Sequence, residues 1–257
     1  MRDLKLAFLQ VWYTNKAFRR NPAAAFFTLV FPLMFLVIFS VIFGNGKITV
    51  GPGVTVSVAT FYVPAIATFS VITACYTNIA MGLAFSRDAG VLKRTQGSPL
   101  PAWAFLFGRI VHAVLIAVLL VAICAAFGAV FYGATLPTQT LPAFLLTLVL
   151  GAAAFCALGT AMTAAIPNAD AAPAVVNASI LPLLFISNVF IPLQNPPAWL
   201  DFVSKVFPVR HFADAMVGSF FALSGSRLQG NDLLVIGAWG LAGLVISFRF
   251  FSWEPRI

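Results

Sequence analysis

Side chains capable of acid–base, nucleophilic or metal chemistry are few in this sequence and far apart. The two histidines, His112 and His211, are distant from each other, and neither has a glutamate at metal-ligand spacing. The cysteines Cys75, Cys124 and Cys156 lie inside apolar runs, their number is odd, and no pair has a metal spacing. They read as small core-facing or lipid-facing residues. Asp170, Asp201, Asp214 and Asp232 are scattered rather than paired, which counts against a membrane-embedded lipid-modifying enzyme. No Walker sequence and no Gly-rich phosphate loop occurs. The inventory predicts no catalytic residue, no metal and no cofactor held by this chain. His112 reads as a packing or snorkelling residue, with a proton relay as the alternative. An ion-coupled carrier needs an Asp, Glu or Lys inside a span, and none is found, so any transport energy must come from outside the chain.

Charge gathers instead in "SRDAGVLKRTQGSPLPAWAF", Ser86 to Phe105. Arg87, Asp88, Lys93 and Arg94 come first, then Gly97, Ser98, Pro99, Pro101 and Trp103. The order predicts a short helix from about Ser86 to Thr95, stopped by Gly97, with Ser98 capping the next helix. With the energy source outside the chain, the stop-and-turn order makes this loop, with Arg87, Val91, Leu92, Lys93 and Arg94, the expected place for an outside partner to grip. The bland alternative is topology alone, which needs charge but not the stop-and-turn order. Neutral polar residues also interrupt apolar runs: Thr68, Ser70, Thr73, Tyr76, Thr77 and Asn78, then Asn177, Ser179, Ser187 and Asn188. Helix–helix hydrogen bonding and a weakly polar path are both open readings.

The elements that position these groups follow from composition. Of 257 residues, 61% are hydrophobic and 9% charged, and 27 are Phe. Soluble domains carry roughly 25% charged residues, so with a mean hydropathy of +1.00 the fold class expected is all-α integral membrane. Runs of about 20 apolar residues place six spans at residues 23–43, 60–85, 107–132, 142–165, 172–191 and 233–251, in one transmembrane domain over 1–257. The first run is long enough to span and shows no cleavage site after it, so a cleavable leader is not expected. Asn21-Pro22 suits a helix start, Gly44-Asn45-Gly46 an end, and "GKITVGPGVTVS" a small hairpin. Leu4 to Arg20 reads as an N-terminal interfacial helix, with Leu4, Ala7, Phe8 and Val11 on one face. Eleven Lys and Arg fall on one side, Arg2 and Arg256 among them, against four on the other, Arg227 among them. That asymmetry predicts cytoplasmic termini and a cytoplasmic Ser86–Phe105 loop. It also accounts for the net charge of +8 without nucleic acid.

"NPPAWLDFVSKVFPVRHFADAMVGSFFAL" then falls outside. It reads as two short apolar helices split by Pro208, dipping into the outer leaflet or capping the bundle, as an anchor or as a lid. Arg210 and Asp214 stand four apart, at pairing distance on a helix. Gly151, Gly159, Gly237, Gly240 and Gly243 read as helix-packing faces.

Two stretches resemble the permease subunit of type-2 ABC exporters, drug- and lipid-exporter-like, over essentially the whole chain. In the first, Asp88, Gly90, Leu92, Lys93, Arg94, Ser98, Pro99 and Leu100 fall on the family's loop pattern. In the second, Phe190, Pro192, Pro197, Trp199, Leu200, Pro208, Asp214 and Met216 match. Asn188 stands where the family carries Gly, and Val217 where it often carries Arg. The resemblance implies a homodimer paired with a separate ABC-type ATP-binding subunit that holds ATP and Mg. It also implies a coupling helix at Arg87–Pro99 between spans 2 and 3, and re-entrant external helices between spans 5 and 6. The first, second and fifth spans would line a path at the dimer interface, with Phe35, Phe69, Thr73, Tyr76, Asn177, Phe185 and Asn188 as its expected wall. Phe190, Pro192, Trp199, Pro208, Arg210 and Asp214 are the expected external gate. Few polar groups among apolar walls suit a hydrophobic small molecule or lipid, with polysaccharide or glycolipid export as the alternative in the same family. The expected location is a bacterial inner (plasma) membrane.

Overall fold

The first two helices meet at a capped corner. α1 (Arg2–Arg19) ends at Arg20, and Asn21 then accepts the Ala24 N–H at 3.1 Å to open α2 (Pro22–Phe43), with Pro22 in the first turn. A computed structural model describes residues 2–44, 46–51, 53–192, 196–223 and 228–254. Asn45, Arg227 and Arg256, which entered the sequence reading, lie outside them. The expected hairpin is present, β1 (Lys47–Gly51) against β2 (Val54–Ser57), antiparallel with Lys47 opposite Ser57. Ser57 caps α3 (Val58–Ile72) by accepting the Thr60 N–H. A π-helical turn, Thr73–Thr77, carries α3 into α4 (Asn78–Asp88), one continuous 31-residue helix in the middle of the bundle.

After the short α5 (Val91–Gln96) come α6 (Ala102–Tyr132) and α7 (Leu141–Met162). α8 (Ala172–Phe185), α9 (Ala198–Val206), α10 (Pro208–Phe220) and α11 (Gly230–Phe250) complete the chain. Among the described residues, five helices are long and apolar enough to cross a membrane: α2, the Val58–Asp88 helix, α6, α7 and α11. The fold is all-α and multi-pass.

The fifth expected span, 172–191, is shorter than the sequence suggested. α8 has 14 residues, about 21 Å against a hydrocarbon core of ~30 Å. Pro182 lacks an N–H, and α8 closes one turn later, where Ile186 N–H reaches Pro182 O. Asn188 then sits in the left-handed region at φ 58°. Asn is among the few residues other than Gly that tolerate that conformation.

Glycine sets the closest helix approach. A Cβ on Gly240 would lie 2.9 Å from Ala154 Cβ, and one on Gly243 2.9 Å from Leu158 N, so α7 and α11 pack backbone to backbone. Gly237, expected on the same face, looks onto open space. α10 is almost wholly buried, with Val209, Phe212, Ala213 and Met216 at 0% exposure. α9 keeps Trp199 and Phe202 outward. Of the two helices expected outside, then, α10 packs into the bundle and α9 lies on its surface. α1 docks against α6 and buries Ala7, while Leu4, Phe8 and Trp12 stay exposed. The expected apolar face is therefore split: Ala7 is buried, Leu4 is exposed, and Phe8 keeps most of its surface open while its ring meets Phe107 of α6 edge-on at 6.0 Å.

Candidate functional site

The basic loop is two helices, not one. α4 stops at Asp88, Gly90 takes φ 68°, and α5 starts at Val91. The single helix expected from Ser86 to Thr95 is thus corrected, because a left-handed residue turns the chain there and Gly alone adopts it without cost. Arg87 does not face outward. It is 2% exposed and spans the turn after α7, donating to Thr163 O (3.2 Å), Ile166 O (2.8 Å) and Pro167 O (3.1 Å). Its Nε pairs with Asp88 Oδ1 at 3.2 Å, and Asp88 Oδ2 accepts the Ala169 N–H. A planar fork of donors suits carbonyls left over by a tight turn.

Leu92 is also fully buried, anchoring α5 to the bundle. The expectation that Arg87 and Leu92 meet a partner is corrected: both are spent inside this chain. Val91, Lys93 and Arg94 remain on the outer face of α5. Arg94 folds back on Ala89 O at 3.1 Å, and Lys93 meets Glu254 at 3.3 Å with both side chains mostly in solvent. Ser98 does not cap α6. It donates to Thr95 O and accepts the Leu100 N–H, closing the turn that Pro99 continues in the open.

Four of the expected path and gate residues form one aromatic cluster. Phe190 stacks on Phe35 at 5.7 Å and meets Phe69 at 5.2 Å and Phe185 at 5.1 Å, and Phe35 meets Phe69 at 5.7 Å. Phe190, expected in the gate, belongs here, its carbonyl held by Tyr62 Oη at 3.0 Å. Tyr62, Phe31 and Phe39 join the same cluster and were not singled out. The signal was available: Phe31, Phe35, Phe39 and Phe43 recur every fourth residue, one stripe of α2. Tyr76 leaves the π turn to share a 2.7 Å hydrogen bond with Ser179 of α8. Thr73 and Asn177 are half-buried.

Asn188, expected in the path wall, instead joins residues expected in the gate, donating to Asp214 Oδ1 at 3.0 Å. Arg210 then ties α10 to α9, reaching Asp214 and Asp201 at 3.3 Å each and Ser204 at 2.8 Å. Burial pushes the Asp214 carboxyl above its ordinary value against the pull of Asn188 and Arg210, while the hydrogen bond from Lys205 holds Asp201 below its own. Pro208 opens α10, Pro192 is half-buried, and Trp199 is exposed and stands apart from this network. His211 was not expected here. Its ring nitrogens face Asp232 Oδ1 at 2.6 Å and Lys205 O at 2.8 Å.

Residues 6–221 match the family model described as ABC-2 type transporter. The chain belongs to the ABC-2 type transporter family. Among curated relatives of this ABC-2 chain, the "Probable multidrug ABC transporter permease YbhR" of Escherichia coli K12 is 25% identical over 192 residues, covering 74% of this chain and 52% of that protein. The chain therefore spans about half the length of that relative. The "Putative transport permease ycf38" of Porphyra purpurea is 25% identical over 248 residues, covering 95% of this chain and 81% of its own. Its counterpart from Cyanophora paradoxa is 26% identical over 245 residues, with coverage of 89% and 82%. The family resemblance read from the two motif stretches is thus shown. The matched range takes in the basic loop, the aromatic cluster and the Arg210 network.

Proposed function

We propose that this chain is the membrane subunit of an ATP-driven exporter. It works as a homodimer with a separate ABC-type ATP-binding subunit that carries ATP and Mg. It moves an amphipathic or hydrophobic, drug-like or lipid-like substrate out of the cytoplasm or the inner leaflet. The bilayer is a bacterial plasma membrane, with both termini and α5 on the cytoplasmic side. One observation carries the reading. A short basic helix, α5, follows directly on α4, whose last residues Arg87 and Asp88 are bolted to the turn between α7 and α8. A force passed from α5, which packs on α4, into the end of α4 is delivered to the α7–α8 turn, and α8 in turn reaches the aromatic cluster through Phe185. The clustered phenyl rings offer contact area rather than charge, which suits an apolar guest.

The test uses the full chain co-expressed with its ATP-binding subunit in sealed vesicles. Val91→Asp with Lys93→Glu alters the outer face of α5 and leaves Leu92 and Arg87 in place. ATP-dependent extrusion of an amphipathic dye is expected to fall at least about tenfold, on the order of 1.4 kcal/mol of lost coupling, with the protein still folded. Undiminished extrusion by that variant, or extrusion by the chain with no ATP-binding subunit, would sink the reading.

A further inference from the structure

α1, α2, the π turn, the start of α4 and the first half of α6 line a half-open cavity of about 390 Å³. Arg109, His112, Asn78 and Thr14 line it together with apolar side chains, and no Asp or Glu does. The Arg109 guanidinium donates to Ser86 Oγ at 2.6 Å and lies over the Phe105 ring at 4.9 Å. Ser86 spends its own hydroxyl hydrogen on Gly82 O, which leaves its oxygen as acceptor. Gly82 also makes room, since a Cβ there would stand 3.3 Å from Arg109 Nη1. Among the described residues no carboxylate pairs with Arg109. A guanidinium has five N–H donors, and Ser86 takes one. Arg87, by contrast, spends four of its five donors on three carbonyls and Asp88.

The cavity changes character with depth. Arg109, Ala113 and Ile116 follow one another along α6 and all line it, so Ile116 lies about 10 Å further along the helix than Arg109. α6 has 31 residues, about 46 Å against a ~30 Å hydrocarbon core. α6 therefore has length to spare for reaching headgroup level, and α1, which ends in the basic residues Lys16 and Arg19, brings Phe18 against His112 beside the cavity. The site has a cationic mouth with spare donors and an apolar interior. That is the complement of a phosphate-headed amphiphile, because the planar fork of Arg matches phosphate oxygens and the interior accepts an acyl chain.

We propose that this cavity binds a phosphate-headed amphiphile, its head on Arg109 and its tail along Thr28 and Ile116. The inference rests on the chain's place in a bilayer and not on the transport reading. It assigns Arg109 a ligand outside the chain and makes the occupant part of the joint between α1, α2 and α6.

The full chain, purified in neutral detergent, is titrated with phosphatidylglycerol, with phosphatidylcholine and with inorganic phosphate, and bound lipid is counted by native mass spectrometry. Phosphatidylglycerol is expected to be retained about tenfold better than phosphatidylcholine, with inorganic phosphate unable to displace it at equal concentration. Arg109→Gln is expected to abolish the preference and Arg109→Lys to keep most of it. Thr28→Trp fills the interior, leaves the guanidinium in place, and is expected to lower retention of both lipids. It decides the matter if Arg109→Gln does not fold. Equal retention of the two lipids by the unaltered chain, or an unchanged preference in Arg109→Gln, overturns the proposal. Full displacement by inorganic phosphate also overturns it, by showing an anion site with no role for the tail. Unchanged lipid retention in Thr28→Trp does the same.

Discussion

Arg87 shows how little a charge reveals about its own direction. In the sequence it belongs to a run of basic residues, and an outward role follows from that company. In the fold it is the largest fully buried side chain, neutralised by Asp88 and satisfied by carbonyls of a turn far along the chain. Buried charges persist only where such partners exist. Arg87→Met strips donors from three carbonyls and from Asp88, and is expected to cost about 3 kcal/mol. The cost is read as a lower midpoint in detergent thermal unfolding. Arg87→Lys should recover only part of it, because one ammonium cannot reach all three carbonyls at once. An unchanged midpoint for Arg87→Met would remove the clamp from this account. Asn188 carries a similar lesson. A departure from the family's Gly keeps the backbone conformation that Gly would provide, and adds a side-chain amide that donates to Asp214.

Elements were legible where apolar length alone decides them. α2, α6, α7 and α11 lie close to the runs counted in the sequence, since ~20 apolar residues have few alternatives in lipid. The second run was legible as a span, but its π turn was not. An α-helix and a π turn use the same residue types and differ only in hydrogen-bond register. That register matters because it delivers Tyr76 to Ser179. The α4–α5 break and the early end of α8 turned on single residues, Gly90 and Pro182, whose effects depend on what the following chain packs against. Helix contacts sort the glycines in the same way. Gly240→Val is expected to force α7 and α11 apart and lower the thermal midpoint, since its Cβ meets Ala154. Gly237→Val looks onto open space and should leave the midpoint within about 0.5 kcal/mol of the original, as for ordinary surface changes. Equal effects of the two would mean that close approach is not what holds this pair.

Across the whole molecule, burial is uneven. α3 and α10 are enclosed on nearly all sides, whereas α2 buries only Pro32, Leu36 and Ser40 of its 22 residues. Its remaining face, with Phe27, Met34 and Val41 exposed, must meet lipid or another protein. The homodimer proposed above puts a second copy beside this helix. Met34→Cys is then expected to cross-link between copies in membranes under mild oxidation, giving a dimer band on a non-reducing gel. Cys75, Cys124 and Cys156 are buried and should stay silent. A chain that remains monomeric with Cys at several exposed α2 positions would set the homodimer aside.

Apolar run length, the scarcity of ionisable groups and two short motifs were enough to read a multi-pass membrane chain of this family, because lipid leaves a backbone few ways to satisfy its hydrogen bonds. The same data could not say which polar side chains turn inward. Arg87, Arg94 and Arg109 are chemically alike and sit within one segment. One clamps a turn, one folds back on its own helix end, and one opens on a cavity. Their directions depend on where α7, α5 and α1 come to rest, and those placements are set by packing between residues far apart in the chain.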